Sequence, residues 1–305
     1  YEFILGDLNK AIELLANTKK TRSDKRYVSL DVAYGIRARV HLTMHNYADA
    51  LKDAEAALAS TSSVPYSSAA VSKPTFIDIE DASWMWGILI TDKDRVSTTG
   101  ICNFPSHMGS LNYGYASVGG WRRISPKLYN QIPESDVRKG WFLDDTGVSV
   151  NLPAAAQAYI TKKGAPVYTQ VKYGPMNDEW GSNNNATDVI LMRVEEMYLI
   201  KAEAQAMNND VSGGVNTLNS FVNTYRDPSY KCTATTGEAV QEAVWHQRRI
   251  EFWGEGLAYF DIMRLNKGVN RLGCGFPKTA VFNIAAGDPV QIYSIPNKEV
   301  QYNPL

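Results

Sequence analysis

The stretch Asp188–Met207, DVILMRVEEMYLIKAEAQAM, constrains the fold more than any other part of the chain. Leu191, Val194, Met197, Tyr198 and Ala202 recur at spacings of three and four, which predicts an amphipathic helix. Asp188 is placed to cap its start, and Asn208-Asn209 to end it. Leu199, Ile200 and Ala204 widen the apolar face beyond what a surface helix needs. Such a helix has to be covered on more than one side, so the chain must supply further helices around it.

It does. Residues 2–17 carry the stripe Ile4, Leu8, Ala11, Ile12 and Leu15. Residues 27–60 read as a helical hairpin that turns at His45-Asn46. Its first helix has Val32, Ile36, Val40 and Met44, and its second runs from Tyr47 to Ser60. Ala38, Ala50, Ala54 and Ala57 sit where a tetratricopeptide hairpin needs small residues, with Tyr47 as the aromatic at the turn. After Asn208-Asn209-Asp210 come Val211–Tyr225, then a pair over 238–253 and 256–266. The stripe of Val240 and Val244 continues through Gln247-Arg248 to Glu251, so charge falls on a core-facing side, and Asp261 with Arg264 does the same.

Between the helical parts, residues 61–187 lose this periodicity and fill with glycine and proline. Short strands are expected at Phe76–Glu80, Trp84–Ile90 and Val167–Tyr173, with Trp84 and Trp86 alternating onto one core-facing side. The segment is rich in tryptophan and tyrosine, unlike a disordered linker, and is read as an ordered insertion. The expected fold is mainly α, tetratricopeptide-like helical pairs in an alpha-alpha superhelix with a large irregular insertion. One domain over 1–305 divides into a helical part (1–60), the insertion (61–187), helical pairs (188–266) and a loop-like tail (267–305).

Charge and cysteine content exclude several functions. Lys and Arg number 31 against 32 Asp and Glu, a net charge of −1, which argues against a nucleic-acid or anionic-membrane surface. No apolar run reaches membrane-spanning length. Cys102, Cys232 and Cys274 lack metal-ligand spacing and allow at most one disulfide. The start, Tyr1-Glu2-Phe3-Ile4-Leu5, has no initiator Met, signal peptide or lipid-attachment cysteine, and its helix is in phase from the first residue, as expected of a truncated chain.

Four stretches together resemble the SusD/RagB family of outer-membrane nutrient-binding lipoproteins: AYGIRARVHLTMHNYADALKDAEAAL (33–58), LMRVEEMYLIKAEAQA (191–206), RRIEFWGEGLAYFDIMRL (248–265) and SIPNKEVQYNPL (294–305). They stand in family order, with lesser echoes at 124–130, 135–138 and 171–173. The chain departs from the pattern at His246-Gln247, in place of an acid-Arg start, and at Gly214, in place of alanine. The resemblance implies a tetratricopeptide-like scaffold that packs on a TonB-dependent outer-membrane transporter, and an opposite face of loops that captures oligo- or polysaccharide outside the cell. It also implies a lipid anchor in the full-length protein, absent from this chain, and neither catalysis nor a cofactor.

The residues support that chemistry on their own terms. Sugar rings stack C–H faces on aromatic rings, and their hydroxyls need planar polar partners. NYGYASVGGWRR (112–123) supplies Asn112, Tyr113, Tyr115, Trp121 and Arg122 on a glycine-rich loop, with Asn103 nearby. WGSNNNATD (180–188) repeats the recipe with Trp180 beside Asn183, Asn184 and Asn185. The expected contacts are Trp121 and Trp180, assisted by Tyr113, Tyr115, Asn103, Asn112, Arg122 and Asn184. If those tryptophans are core residues, Tyr129, Tyr168 and Tyr173 are the next choice.

Other constellations carry less. His41 and His45 have helical zinc spacing but no obvious third ligand, and a hairpin role is expected. His107 and His246 lack a triad signature. Glu134, Asp136, Asp144, Asp145 and Glu179 are loop carboxylates, expected to be solvated. Gly254-Glu255-Gly256 reads as a tight corner. Arg248, Arg249, Glu251, Glu255, Asp261 and Arg264 read as a buried ion network fixing two helices, in which Arg248, Glu251, Asp261 and Arg264 meet. Two rivals to the glycan reading are a peptide-binding tetratricopeptide adaptor and a helical glycoside hydrolase.

Overall fold

The computed structural model describes residues 1–18, 20–94, 97 and 103–303. Cys102 and the Pro304-Leu305 end of the tail lie outside the described residues. The elements in chain order are α1 (Glu2–Asn17), α2 (Leu30–Thr43), α3 (Tyr47–Ser60), α4 (Ser68–Val71), β1 (Trp84–Ile88), α5 (Phe104–Met108), α6 (Pro126–Tyr129), α7 (Ala154–Lys162), β2 (Val189–Arg193), α8 (Val194–Met207), α9 (Val211–Tyr225), α10 (Gly237–Glu251), α11 (Ala258–Arg264), β3 (Val269–Asn270), β4 (Asn283–Ile284) and α12 (Asn297–Tyr302). The fold is mainly helical, with tetratricopeptide-like pairs. Among the described residues no helix is long and apolar enough to cross a membrane.

The long helices stack in one array: α1 on α2, α2 on α3, α3 on α8, and α8 on both α9 and α10. Ala38, Ala50, Ala54 and Ala57 are fully buried where α2 and α3 meet, so the small residues set the close approach. Helix α8 is shared by two cores. Val194, Met197, Ile200 and Ala204 face α2 and α3, while Leu199, Ala202 and Ala206 face α9 and α10. That sharing is why its apolar face is so wide. Gly214 allows the tight crossing of α9 on α8, since a Cβ there would stand 2.6 Å from the Ala202 carbonyl and 2.8 Å from the Ala206 Cβ. The departure from alanine therefore has a steric reason.

Residues 189–193 are not helix. They form β2, antiparallel to β1, and the helix begins only at Val194. Asp188 does not cap a helix: its carboxylate accepts from the backbone N–H groups of Ile79 and Ile90 and anchors β2 beside the insertion. The apolar run 189–192 suits a buried strand as well as a helix, and cross-chain pairing decides between them. Trp84 and Trp86 do not share a face. Register shifts on either side of Trp86 send Trp84 into the core with Phe76 and Trp141, while Trp86 packs beside Met85 against the α2–α3 core. No strand forms over Phe76–Glu80, where Phe76 takes φ 62°. Val167–Tyr173 makes isolated bridges to Arg123, Phe142 and Thr75 rather than a strand, with Tyr168 at φ 65°. The tail is more ordered than expected, holding the β3–β4 hairpin and α12.

Two buried ion networks join these parts. In the first, the Glu251 carboxylate accepts from Arg226 at 2.8 Å, Arg193 at 3.0 Å and Arg138 at 3.2 Å. Glu255 accepts from Arg193 and Lys172, Glu195 pairs with Arg226 and Arg193, and Asp136 pairs with Arg138. Four cations thus meet four carboxylates, so no charge is left over in a region nearly closed to water. The members come from the insertion (Asp136, Arg138, Lys172), from β2 and α8 (Arg193, Glu195), from the end of α9 (Arg226), and from the end of α10 and the corner after it (Glu251, Glu255), so the network fastens the insertion to the helices. Lys172 also sits over the rings of Phe76 at 4.5 Å and Trp141 at 4.8 Å. Burial pulls its pKa down to about 8, against the attraction of Glu255.

The second network runs Arg39–Glu196, Arg248–Asp261–Arg264–Glu203. Arg248, Asp261 and Arg264 interact as expected. Glu251 does not join them, because it points the other way, toward Arg138, Arg193 and Arg226. Arg249 lies in neither network and covers the Trp245 ring at 4.9 Å. At the α2–α3 turn His45 lies beyond the helix end at φ 60°, its Nε2 bonded to the Arg264 carbonyl at 2.7 Å, so His41 and His45 do not form an i, i+4 helical pair. Gly254 and Gly256 both take positive φ at the expected corner.

Candidate functional site

Two loop segments of the insertion, 103–123 and 176–185, are far apart in sequence and meet around Asn185. Its side-chain carbonyl accepts from Asn112 Nδ2 at 2.9 Å, and its own amide donates to the Tyr113 and Asn183 carbonyls. Its backbone carbonyl accepts from Asn103 Nδ2 at 2.8 Å. Tyr113 N donates to the Ser182 carbonyl, and Gly181 N to that of Leu111. Beneath this seam lies a small core of Leu111, Leu143, Ala156, Ile160 and Val171, to which α7 contributes two residues.

Trp121 and Trp180 both pack on this core and both remain half-buried. They come from different loops and share one apolar support. Tyr113 is 48% exposed and Tyr115 42%. The Lys163 ammonium lies 5.0 Å from the centre of the Tyr113 ring and 5.7 Å from that of Tyr159. His107 stacks on Tyr115 at 4.6 Å, and the Arg122 guanidinium sits 5.6 Å from the same ring. Gly120 makes room for Tyr115, since a Cβ there would stand 2.6 Å from the ring. Arg122 donates to the Gly120 carbonyl at 2.9 Å and to His107 Nδ1 at 3.3 Å, which makes Nδ1 the acceptor; among the described residues its other guanidinium N–H groups have no partner.

All eight residues expected at the site stand in these two segments, in different states. Trp121, Trp180, Tyr113, Tyr115 and Arg122 reach the surface. Asn103 and Asn112 turn inward. Asn103 caps α5 through Ser106 N, and Asn112 is 1% exposed, so both brace the loops rather than face solvent. Asn184 is half-buried and leaves its Oδ1 without a hydrogen bond. His107, Tyr159, Lys163 and the brace Asn185 belong to the region too. Spacing gives no sign of the first three, because each enters through tertiary contact.

A separate cleft of about 470 Å³ is lined among others by Tyr129, Tyr168, Glu134, Asp144, Asp145 and Asn151. The Tyr129 and Tyr168 rings lie 5.2 Å apart. Burial, then the charges of Asp144, Glu134 and Asp145, push the Tyr129 hydroxyl up to about 12. Burial works against ionisation of Asp144, but hydrogen bonds from Val148, Thr146 and Gly147 outweigh it and hold its carboxyl below the ordinary value. Asp136 is committed to Arg138. Tyr173 is buried with Phe76.

The model of the SusD family matches residues 127–304. A SusD superfamily protein from Bacteroides thetaiotaomicron VPI-5482 is similar at 22% identity and TM-score 0.78, over 100% of this chain and 64% of its own. A SusD-like carbohydrate binding protein from Bacteroides vulgatus ATCC 8482 is similar at 22% identity and TM-score 0.74, over 98% of this chain and 63% of its own. The chain therefore spans somewhat less than two thirds of the length of these structures. Among curated proteins none matches.

Proposed function

This chain belongs to the SusD family, and on that premise we propose that it is a non-catalytic glycan-binding protein of the cell surface. It captures oligo- or polysaccharide at the outer face of the outer membrane and passes it to a TonB-dependent transporter, with a lipid anchor carried by the full-length protein. The observation that carries this reading is the pair Trp121 and Trp180. Two half-buried indoles from separate loops pack on one small core, and the same two segments carry Tyr113, Tyr115, Arg122 and Asn184. A rigid aromatic surface with unengaged polar groups suits shallow stacking and hydroxyl recognition.

The hydrolase alternative draws little from the acidic cleft. A general acid needs a carboxyl held above its ordinary pKa, and Asp144 is shifted the other way. The adaptor alternative rests on an apolar groove of about 360 Å³ between α2, α8 and α11, whose polar wall groups Arg39, Glu196, Arg248 and Asp261 are engaged with one another. The test is affinity electrophoresis of the soluble chain through gels containing neutral and acidic polysaccharides, backed by a glycan array. Retardation in at least one gel, without release of reducing ends, is the expected result. Migration unchanged in every gel and an empty array overturn the reading.

A further inference from the structure

We infer that the surface carrying Trp121 and Trp180 selects acidic glycan, a chain bearing carboxylates or sulfates. The inference rests on the glycan-binding reading and adds the charge of the ligand to it.

Residues 103–133 and 146–177 contain no aspartate or glutamate. At the chain's average frequency, 32 acids in 305 residues, stretches of this combined length would carry about six or seven. These stretches supply Trp121, Tyr113, Tyr115 and Arg122, together with Tyr159 and Lys163. The chain as a whole is balanced at −1, so the depletion is local.

The structure then places two cations on the exposed rings. Lys163 lies over Tyr113 and Tyr159, and Arg122 beside Tyr115. Among the described residues neither has a carboxylate within ion-pair distance, although nearly every buried arginine of this chain is paired. Arg122 is oriented by the Gly120 carbonyl and His107, and a guanidinium has five N–H donors, so it can still donate to a carboxylate or sulfate. The acids nearest in sequence to Trp180 are Asp178 and Glu179, both exposed and, among the described residues, in no ion pair. They are the opposing charges that Arg122 and Lys163 must outweigh. A neutral glycan has no anion to offer either cation. Acidic sugars bring the charge that these cations lack.

The test uses the soluble chain and a matched pair of probes, polygalacturonate and its carboxyl-reduced form, which share a backbone linkage and differ in charge. Alginate, carrageenan and chondroitin sulfate separate carboxylate from sulfate recognition, and amylopectin, xyloglucan and mannan extend the neutral set. The expected result is tighter binding to acidic members, weakening as salt is raised from 50 to 500 mM. Each of Arg122→Gln and Lys163→Gln should cost about threefold at low salt. Arg122→Lys, which keeps the charge, should retain more affinity than Arg122→Gln at unchanged melting temperature. Equal or tighter binding to neutral members, insensitive to salt and to both glutamine variants, overturns the charge assignment and leaves glycan binding standing. Binding to neither set overturns both.

Discussion

Replacing Glu251 with alanine is the sharpest perturbation of the scaffold. Its carboxylate receives four hydrogen bonds from three arginines, all with side chains fully closed to water. Truncation leaves Arg138, Arg193 and Arg226 with one anion too few, and no solvent to take its place. Breaking a buried pair this way costs about 3–5 kcal/mol. For a chain of this size that lowers the melting temperature by roughly 5–8 °C. Glu251→Gln, which keeps the shape and some acceptors, should fall between the parent and the alanine variant. The pH dependence has a defined sign. Burial opposes the charge of Glu251, but Arg226, Arg193 and Arg138 hold its carboxyl well below the ordinary 4.5. Its contribution is therefore present above about 4.5 and is lost as pH falls below it. Thermal melts of parent and variants between pH 3 and 7 read both effects. A Glu251→Ala protein that melts like the parent and loses glycan binding instead would refute the structural reading.

Three further outcomes follow from the same geometry. Gly214→Ala should destabilise by about 1–3 kcal/mol, since the new methyl must push α9 from α8, and urea midpoints at constant slope measure it. Lys172 is held at about 8 by burial, below its unfolded value of 10.5, so the unfolded chain binds the extra proton between these values and this group's contribution to stability rises with pH there. Urea titrations at pH 7.5 and 9.5 should show that rise in the parent and less of it in Lys172→Met. Incubation with the bound polysaccharide should release no reducing ends, and release abolished by one carboxylate substitution would move the chain to the hydrolases.

Much of the helical array is legible because its signals are local. The alanines of α2 and α3 and the double face of α8 state in sequence what they do in space. The failures have a common origin in partners distant along the chain. Residues 189–192 are apolar enough for either state, and only β1 makes them a strand. Glu251 lies on the stripe expected of it, but its arginine partners come from 138, 193 and 226. At the site, the alternation of aromatic and amide residues singles out two segments that the fold brings into contact. It does not show that Asn103 and Asn112 face inward, nor that His107 and Lys163 cover the tyrosines. Those depend on how two loops close around Asn185.

Trp121 and Trp180 either hold the glycan or hold only the loops. Both rest on an apolar core, so alanine would confound stacking with packing. Trp121→Leu and Trp180→Leu keep most of the buried apolar contact and remove the flat ring. Affinity for the best polysaccharide found by electrophoresis, measured by titration calorimetry beside the melting temperature, separates the two roles. The account predicts a roughly tenfold loss of affinity in each variant, the equivalent of about 1–2 kcal/mol of stacking, with melting within a few degrees of the parent. Unchanged affinity in both, with melting intact, would contradict it.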